Sequence, residues 1–369
     1  MLGPREIGIL TSFSAEDSGL ARSLIPKDWN TNLFDDHRRF LQSDLSRKIA
    51  IFDLIGDKAC LRSFSLESFP LDKIDELIFL SSEMLPEIFN FMVKNDHHKI
   101  TYFINGFLNS PLKKSKVRLF MDWFSTTVDI YKNKIPQLLN CLTPYETKPY
   151  AFDVLLGSKK PHRDKVYKTL TSSGLRDNCI MSYFGAPSID LQCADKDRFI
   201  WYDKDNIDFK AINTVTNTVQ RVNYKGVEMH LSQLMPINIY NETAHTLVTE
   251  TTFDERFVFF TEKTVKPIIA KRLFIMLGNP GSLARLRDMG FMTFDGIIDE
   301  SYDDELNHNK RFNKALGEFR KLCEMDQSYV LTSCRHIVDH NAIKMLETDW
   351  MRDVFLRNFY GIICPSQQA

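Results

Sequence analysis

The first 148 residues alternate short apolar runs with stretches of helical spacing. The apolar runs lie at residues 7–10, 49–55, 77–80 and 100–104. Between the last two runs, residues 85–93 repeat apolar side chains every three or four positions, as one face of a helix does. Such alternation is typical of a parallel sheet with helices on its faces. The pattern therefore predicts an α/β domain over residues 1–148, in which residues 85–93 form a short crossover helix.

A second series of the same kind follows the proline-containing segment 143–149, which is the best candidate for a linker between two domains. The elements predicted next are a strand at 152–156, a helix at 163–170, a strand at 179–184, and amphipathic helices at 311–326 and 336–359. Residues 186–240 are polar apart from an apolar island at 199–202, and we interpret them as loops and helices. The second domain is accordingly predicted at residues 149–345.

Within residues 259–294, Thr261-Glu262-Lys263 precedes a helical stretch, a buried strand at 273–277, a glycine turn and a helix at 282–289. Glu262 and Lys263 fall in the first turn, where backbone N–H groups lack partners and the helix dipole favours an anion. A carboxylate there can chelate two ribose hydroxyls while the ammonium meets a phosphate. The simpler interpretation is an N-cap threonine, a first-turn acid and a solvated lysine. In this context the pattern outlines a nucleotide-diphosphate site.

Composition narrows the class of protein. A chain of 369 residues exceeds what one core normally serves, so two domains are expected, and 43% hydrophobic with 26% charged residues is typical of a globular protein. The net charge of -1 argues against a protein that coats nucleic acid, but it is compatible with a DNA-acting enzyme that has a local basic groove. Seven cysteines without a Cys-x-x-Cys pair are expected to be reduced thiols, and metal-ligand spacing is absent.

The N-terminal residues lack the basic and apolar regions of a signal peptide, and no apolar run approaches the roughly 18 residues of a transmembrane helix. We therefore expect no membrane anchor and a cytoplasmic location.

The tracts 152–185 and 245–302 resemble the donor-binding half of GT-B glycosyltransferases, most nearly the alpha-1,3-fucosyltransferase and exostosin-like branch. Thr261-Glu262-Lys263 matches the motif that opens a helix over the nucleotide in that branch. Glu250 stands where the branch has Phe-Glu-Asn-Ser, although Asn-Ser has become Thr-Thr here, and the helix start at Arg163 looks like the one that carries an arginine in the branch. Residues 290–305 also look like those of soluble glycosyltransferase-like proteins of tailed phages and marine bacteria.

The resemblance implies an α/β protein of GT-B fold, with two Rossmann-like domains facing across a cleft and a C-terminal helix at 346–369 that crosses back to the first domain. It implies a UDP- or GDP-sugar as donor, bound by the second domain. Arg163 would hold the diphosphate bidentately, with Lys165 and Lys263 offsetting the leaving charge. Because these cations can do so, and because no Asp-x-Asp tract stands at a strand end, we expect no metal requirement.

The resemblance also implies a catalytic carboxylate near a strand end of the first domain. Glu83, just past the strand at 77–80, is the first candidate and Asp53 is the second, with Asp36 and Asp122 as rivals. Glu83 fits the role of a helix-start acid equally well. His162 is an alternative catalytic residue, although a packing or phosphate-binding role suits a histidine beside Arg163 better.

The acceptor is suggested by a basic strip that leads into aromatic residues. It consists of Lys113, Lys114, Lys116 and Arg118. Such a strip can hold phosphates of duplex DNA, although a solvated lysine loop before a buried strand has the same pattern. Together with the likeness to phage proteins, it makes a hydroxymethylated cytosine in phage DNA, flipped from the stack, the favoured acceptor. The alternatives are a glycan or small-molecule acceptor in polysaccharide synthesis, and an inactive nucleotide-binding or interaction module.

Overall fold

The structure of the chain is a computed structural model that describes residues 7–11, 20–27, 31–55, 58–67, 69–157, 159–183, 207–208, 212–213, 218–219 and 221–364. The chain forms two compact units, Met1–Asp122 with Asp349–Ala369, and Trp123–Thr348. Each unit has its own parallel sheet. These sheets confirm the expected α/β class with two Rossmann-like domains. Cys193 and the apolar island at 199–202 lie outside the described residues.

The described strands are β1 Ile7–Leu10, β2 Thr31–Phe34, β3 Arg47–Asp53, β4 Glu76–Ser81, β5 Ile100–Ile104, β6 Gly106–Leu108, β7 Lys116–Leu119, β8 Tyr150–Leu156, β9 Cys179–Tyr183, β10 Ile207–Asp208, β11 Ile212–Asn213, β12 Thr218–Val219, β13 Arg221–Tyr224, β14 Val227–His230, β15 Thr243–Thr249, β16 Phe257–Phe259 and β17 Phe274–Leu277. The described α-helices are α1 Leu20–Ser23, α2 His37–Gln42, α3 Lys58–Ser63, α4 Pro86–Lys94, α5 Asp122–Asp129, α6 Pro161–Ser172, α7 Ile237–Glu242, α8 Glu262–Ile269, α9 Ser282–Asp288, α10 His308–Glu324, α11 Gln327–Glu347 and α12 Arg357–Ile363. Shorter 3-10 helices lie at Leu71–Lys73, Pro136–Cys141, Leu175–Asn178, Leu231–Gln233 and Glu300–Tyr302, and π-helical turns at Ile130–Lys134 and Trp350–Leu356.

The sheet of the first unit contains parallel strands in the order β2-β1-β3-β4-β5-β7. Its central strands β3, β4 and β5 are almost wholly buried, which explains why they read as unbroken apolar runs. The strand order reverses between β1 and β3, so the carboxyl ends of these two strands flank a topological switch point. Open α/β sheets bind ligands at such points.

One core layer of the first unit combines strand residues with residues from the end of the chain. Phe355, Phe359 and Ile363 are buried among aliphatic residues of β1, β3 and β4, and the Phe355 ring centroid lies 4.5 Å from that of Phe120. The prediction of one helix over 336–359 is wrong. Thr348 ends α11, and Asp349 begins the next helical segment by accepting a hydrogen bond from the Arg352 backbone at 2.9 Å.

The sheet of the second unit has the parallel order β17-β15-β8-β9, so its switch point lies between β8 and β15. Side chains alternate between the two faces. Phe152 on β8 stacks on Phe319 of α10 at 4.1 Å, whereas the next residue, Asp153, lies on the opposite face. The expected strand at 273–277 and helix at 282–289 correspond to β17 and α9.

The boundary between the units differs from the predicted one at residue 148. Residues 123–148 belong to the second unit because they pack on it: the Tyr131 hydroxyl donates to the Gln233 carbonyl at 2.8 Å, and Gln233 Nε2 donates to the Thr126 hydroxyl at 3.0 Å. The predicted linker 143–149 is fixed as well, since Lys148 N donates to Gln327 Oε1 at 2.8 Å. Local sequence patterns do not report such long-range pairs.

A buried ion pair joins the strands of the second unit. Arg272 Nη2 lies 2.8 Å from Asp153 Oδ1, with side chains 4% and 1% exposed. The other guanidinium hydrogens donate to the carbonyls of Tyr240, Thr243 and His245 and to the hydroxyls of Thr243 and Thr246. Every part of this cation is therefore engaged, which offsets the cost of burying it.

His245 on β15 is fully buried, and neither ring nitrogen has a hydrogen-bond partner among the described residues. Burial lowers its pKa to about 3. We predict that His245→Leu raises the free energy of unfolding by about 1–3 kcal/mol at pH 7.5, because an unpaired polar group no longer has to be buried.

The pH dependence of the free energy of unfolding provides a second test of this prediction. Since the folded pKa lies below the unfolded value of about 6.5, protonation favours the unfolded chain, so stability present above pH 6.5 is lost as pH falls towards 3. The advantage of His245→Leu should therefore grow by about 1.4 kcal/mol per pH unit between pH 6 and 4, measured by urea unfolding. The same substitution at exposed His336 should change stability by less than about 0.5 kcal/mol. A difference at position 245 that is flat with pH would contradict the assignment.

No helix of the described residues is long and apolar enough to cross a membrane.

Candidate functional site

A buried carboxylate fixes the start of α8 at the carboxyl edge of the second sheet. Glu250 directly follows β15 and is fully buried. Its carboxylate accepts hydrogen bonds from the Thr261 backbone at 3.0 Å, the Thr261 hydroxyl at 2.7 Å and the Thr264 hydroxyl at 2.6 Å. Thr261 is the N-cap of α8, and Glu262 is its first residue, as the sequence predicts. Glu250 is thus placed to position this helix, with its acceptor atoms engaged inside the protein.

Charge is concentrated in the first turns of α8. Glu262 is 2% exposed, and its Oε1 lies 2.7 Å from Lys263 Nζ. Burial alone would raise the pKa of Glu262, but the cations of Lys263 and Lys266 outweigh it and hold the pKa below its usual value. Lys266 is also buried, which lowers its pKa to about 8, and its ammonium donates to the carbonyls of Ser232 and Leu234. These charges are costly to bury, and clusters with shifted pKa values are more frequent at functional sites than elsewhere in proteins.

The start of α6 meets the end of β15 across the switch point. Arg163 is 2% exposed, and its Nη2 donates to the carbonyls of Thr249 at 3.0 Å and Glu250 at 3.2 Å. His162 Nε2 lies 2.9 Å from the same Glu250 carbonyl, which can only accept, so Nε2 carries the hydrogen. Burial lowers the pKa of His162 to about 3, so the ring is neutral near pH 7. Arg163 and His162 therefore hold the β15 end, which bears the Glu250 anchor.

Lys165 points to α10 rather than to the carbonyls that Arg163 contacts. Its Nζ donates to Asn309 Oδ1 at 2.8 Å and lies 4.1 Å from the centre of the Phe312 ring. Arg311, between Asn309 and Phe312 on α10, is a further buried cation that the sequence pattern does not indicate. It is 1% exposed, and its guanidinium carbon lies 4.1 Å from the centre of the Phe253 ring. An arginine in an amphipathic helix gives no local signal of burial.

Several buried polar atoms at the carboxyl edge of the second sheet have no hydrogen-bond partner among the described residues. Among the described residues, the Tyr183 hydroxyl at the end of β9 and the Thr249 hydroxyl at the end of β15 are buried and have no hydrogen-bond partner. Asp164 Oδ1, in the first turn of α6, has none either. Buried polar groups in proteins are nearly always paired, so their occurrence at three element ends is compatible with a polar ligand or ordered water there.

The carboxyl edge of the first sheet carries two interacting carboxyl groups. Asp53 ends β3 at the switch point, and Asp122 follows β7. Burial and then the charge of Asp53 raise the pKa of Asp122 to about 6. Met121, directly before Asp122, is fully buried with φ 49°, a left-handed conformation that is costly for a bulky residue.

The other base candidates have different surroundings. Glu83 is half-buried just past β4, and its backbone carbonyl accepts from the Ser81 hydroxyl at 2.6 Å. Asp36 caps α2 by accepting from the Arg39 backbone at 2.7 Å. Of these groups, Asp122 directly follows the strained backbone of Met121 and has a pKa of about 6, close to the neutral value that suits a general base.

The basic strip lies largely at the amino end of β7, whereas Asp53 and Asp122 lie at the carboxyl edge of the sheet. Lys113 and Lys114 precede β7, Lys116 begins it, and Arg118 lies in its second half, all four exposed. The loop is held by Asp96, whose carboxylate accepts from the backbone of Lys113 at 2.9 Å and of Ser115 at 2.7 Å. A strand rises about 3.3 Å per residue, so Lys113 and Lys114 are displaced from the carboxyl edge by the length of β7, roughly 13 Å.

The described residues contain no group of three or more His, Cys, Asp and Glu side chains that could hold a metal ion.

Comparison with known proteins gives weak likeness to solved structures. No family model matches the chain, and no curated protein sequence matches it. Among solved structures, it is similar to one titled "Crystal Structure of alpha1,3-Fucosyltransferase", with a TM-score of 0.34, 13% sequence identity, and coverage of 94% of this chain and 92% of that one. A TM-score this low assigns neither a family nor a residue's role to the chain.

Proposed function

We propose that this protein is a glycosyltransferase that binds a nucleotide-sugar on its second unit and moves the sugar onto an acceptor hydroxyl. The observation that carries the proposal is the buried charged cluster at the switch point of the second sheet. In it, Glu250 fixes the helix start that bears Glu262 and Lys263. A helix start beside a parallel strand end is where α/β proteins bind nucleotides. The donor is a UDP- or GDP-sugar.

We assign a different role in donor binding to each residue of the site. Glu262 accepts from the ribose hydroxyls, and Lys263, which has 23% of its side chain exposed, meets a phosphate. Arg163 acts by holding the end of β15, because its Nη2 is committed to two carbonyls. Lys263 and Lys165 can offset the charge of the leaving diphosphate, so we propose turnover without a divalent cation.

Deprotonation of the acceptor hydroxyl needs a base, which we assign to Asp122. A carboxyl group with a pKa of about 6 is largely ionised at neutral pH and still accepts a proton readily. Asp53 acts through its charge, which raises the pKa of Asp122. Glu83 is the alternative base.

For the acceptor, we propose a hydroxymethylated cytosine of phage DNA, held by the exposed cations Lys113, Lys114, Lys116 and Arg118. Counterion release from such contacts would make binding fall steeply with salt. The displacement of Lys113 and Lys114 from the carboxyl edge favours the second candidate, a glycan or small-molecule acceptor that would not need the strip. If DNA is the acceptor, substitution of Lys113 and Lys114 by glutamine should reduce both the affinity for duplex DNA and its dependence on salt. If a glycan is the acceptor, the same substitution should leave turnover unchanged.

Donor binding is tested by calorimetry and thermal shift with UDP, GDP and their sugars. A nucleotide at one hundred times its Kd should stabilise the protein by about 2.7 kcal/mol. We predict that Glu262→Gln weakens nucleotide binding by roughly 10- to 100-fold, because it replaces a charged acceptor of the ribose hydroxyls by a neutral amide.

Glu242→Gln, at the exposed end of α7, is the matched control and should bind as the wild type does. Equal binding by Glu262→Gln and wild type would refute the donor site. Sugar release from the bound donor, assayed with hydroxymethylcytosine duplex or with oligosaccharide, separates a transferase from an inactive binding module.

A further inference from the structure

We propose that Arg311 binds a phosphoryl group through the Nε and Nη2 edge of its guanidinium, at the amino end of α10. Within the described residues, Nε and Nη2 are both buried and have no hydrogen-bond partner, while Nη1 donates to the Glu305 carbonyl at 2.8 Å. The two open donors form one edge of the planar group. That edge presents two parallel N–H bonds and matches the two oxygens of a phosphate.

The direction of the side chain places this edge at a helix start. α10 has 17 residues with Asn307 as its N-cap, and the bond from Arg311 to Glu305 shows that the guanidinium reaches back past that cap. The helix dipole there favours an anion. Lys165 supplies a second cation, since its Nζ binds Asn309 two residues before Arg311.

Burial makes the open edge costly without a ligand. A charged group removed from water needs hydrogen-bonded partners, and a guanidinium cannot lose its proton near neutral pH. Burial lowers the pKa of Arg311 to about 10, with Asp303, Glu255 and Glu305 acting in the opposite direction. Asp303 accepts from the Ala284 backbone at 3.1 Å through Oδ2, and among the described residues no acceptor is hydrogen-bonded to the open edge.

Because the open edge is buried, a ligand can reach it only if a neighbouring side chain moves, and Phe253, which packs on the guanidinium, is our candidate. Its ring contacts Arg311 at 4.1 Å, stacks on His162 at 5.3 Å and meets His308 at 5.1 Å, and it is partly exposed. As part of the proposal, rotation of this ring gives a ligand access to the Nε and Nη2 edge. In the proposed reaction the ligand is the diphosphate of the donor. This last assignment rests on the proposed function, whereas the anion site does not.

The test uses inorganic pyrophosphate as the probe, with UDP, GDP, uridine and guanosine in parallel, on the full chain. By calorimetry, Arg311→Gln should weaken pyrophosphate binding roughly 10- to 100-fold, and Arg311→Lys should weaken it too because the fork is lost. Phe253→Ala should bind pyrophosphate at least as tightly as wild type. Arg285→Gln, at an arginine paired with Asp288 on the surface, is the matched control and should change nothing.

A direct readout protects the test against a variant that fails to fold. In wild-type protein, the Nε–H resonance of Arg311, assigned by its loss in Arg311→Lys, should shift when pyrophosphate is added. Weakened binding of both pyrophosphate and nucleoside diphosphates, with nucleosides unaffected, supports the site and assigns the phosphate to the donor. Pyrophosphate binding that depends on Arg311 without any nucleotide binding supports the site and rejects the proposed donor. Nucleotide binding that ignores Arg311 rejects the assignment of its ligand to the donor diphosphate. Pyrophosphate binding that ignores Arg311, or an Nε–H resonance unmoved by pyrophosphate, overturns the inference and leaves the proposed function standing.

Discussion

Arg272→Met should lower the free energy of unfolding of the second unit by about 3–5 kcal/mol, because it leaves the carboxylate of Asp153 buried without its cation. The Asp153 side chain is 1% exposed, so water cannot replace the guanidinium. The same substitution strips donors from three backbone carbonyls and two hydroxyls that Arg272 now serves. The loss is measured by urea unfolding followed by circular dichroism.

Two further variants distinguish the free energy lost with the ion pair from the free energy lost by shortening an arginine side chain. Arg272→Met with Asp153→Leu should be less destabilised than the sum of the single changes, because no unpaired charge then remains. Arg285→Met breaks a surface pair with Asp288 and should cost less than about 0.5 kcal/mol. A loss below about 1 kcal/mol in Arg272→Met would show that Asp153 is compensated by other means.

Asp122→Asn should lower kcat/KM by about 10²- to 10⁴-fold, because an amide cannot accept the proton of the acceptor hydroxyl. In wild type, kcat/KM should fall as pH drops below about 6, where the carboxyl of Asp122 becomes protonated. Asp53→Asn removes the charge that raises this pKa, so it should move the acid limb of the profile to lower pH while substantial turnover remains. Both profiles are measured under donor saturation with varied acceptor.

Asp129→Asn, at the other end of α5, is the matched control and should retain wild-type turnover. If Glu83→Gln abolishes turnover while Asp122→Asn does not, the base is Glu83. If Asp53→Asn abolishes turnover at every pH, Asp53 has a direct role and our division of labour between the two carboxyl groups is wrong.

The sequence predicted those parts of the structure that depend on neighbours along the chain. Strands β1, β3, β4 and β5 appear where unbroken apolar runs stand, because a parallel strand buries both faces. The start of α8 at Glu262 followed from a threonine N-cap beside an acid, which is a local signal.

Features that depend on distant residues could not be predicted. The boundary at Asp122 results from pairings such as that of Tyr131 with Gln233, which lie 102 residues apart. The carboxylate oxygens of Glu250 accept hydrogen bonds from the Thr261 and Thr264 hydroxyls, and these contacts form only when the second unit folds. Arg311 lies in an amphipathic helix and its sequence context indicates a surface residue, whereas in the folded unit it is 1% exposed and packs on Phe253.

The place of Phe355, Phe359 and Ile363 in the core of the first unit has a consequence for synthesis on the ribosome. The ribosome adds roughly 5–20 residues per second. All of Trp123–Thr348 is made after the strands of the first unit and before its last core residues, which delays completion of that core by roughly ten seconds or more. The second unit, continuous in sequence, can fold during that interval. Exposed strands in such waiting intermediates are prone to aggregation, so nascent chains stalled before residue 349 should be clients of chaperones that bind apolar segments.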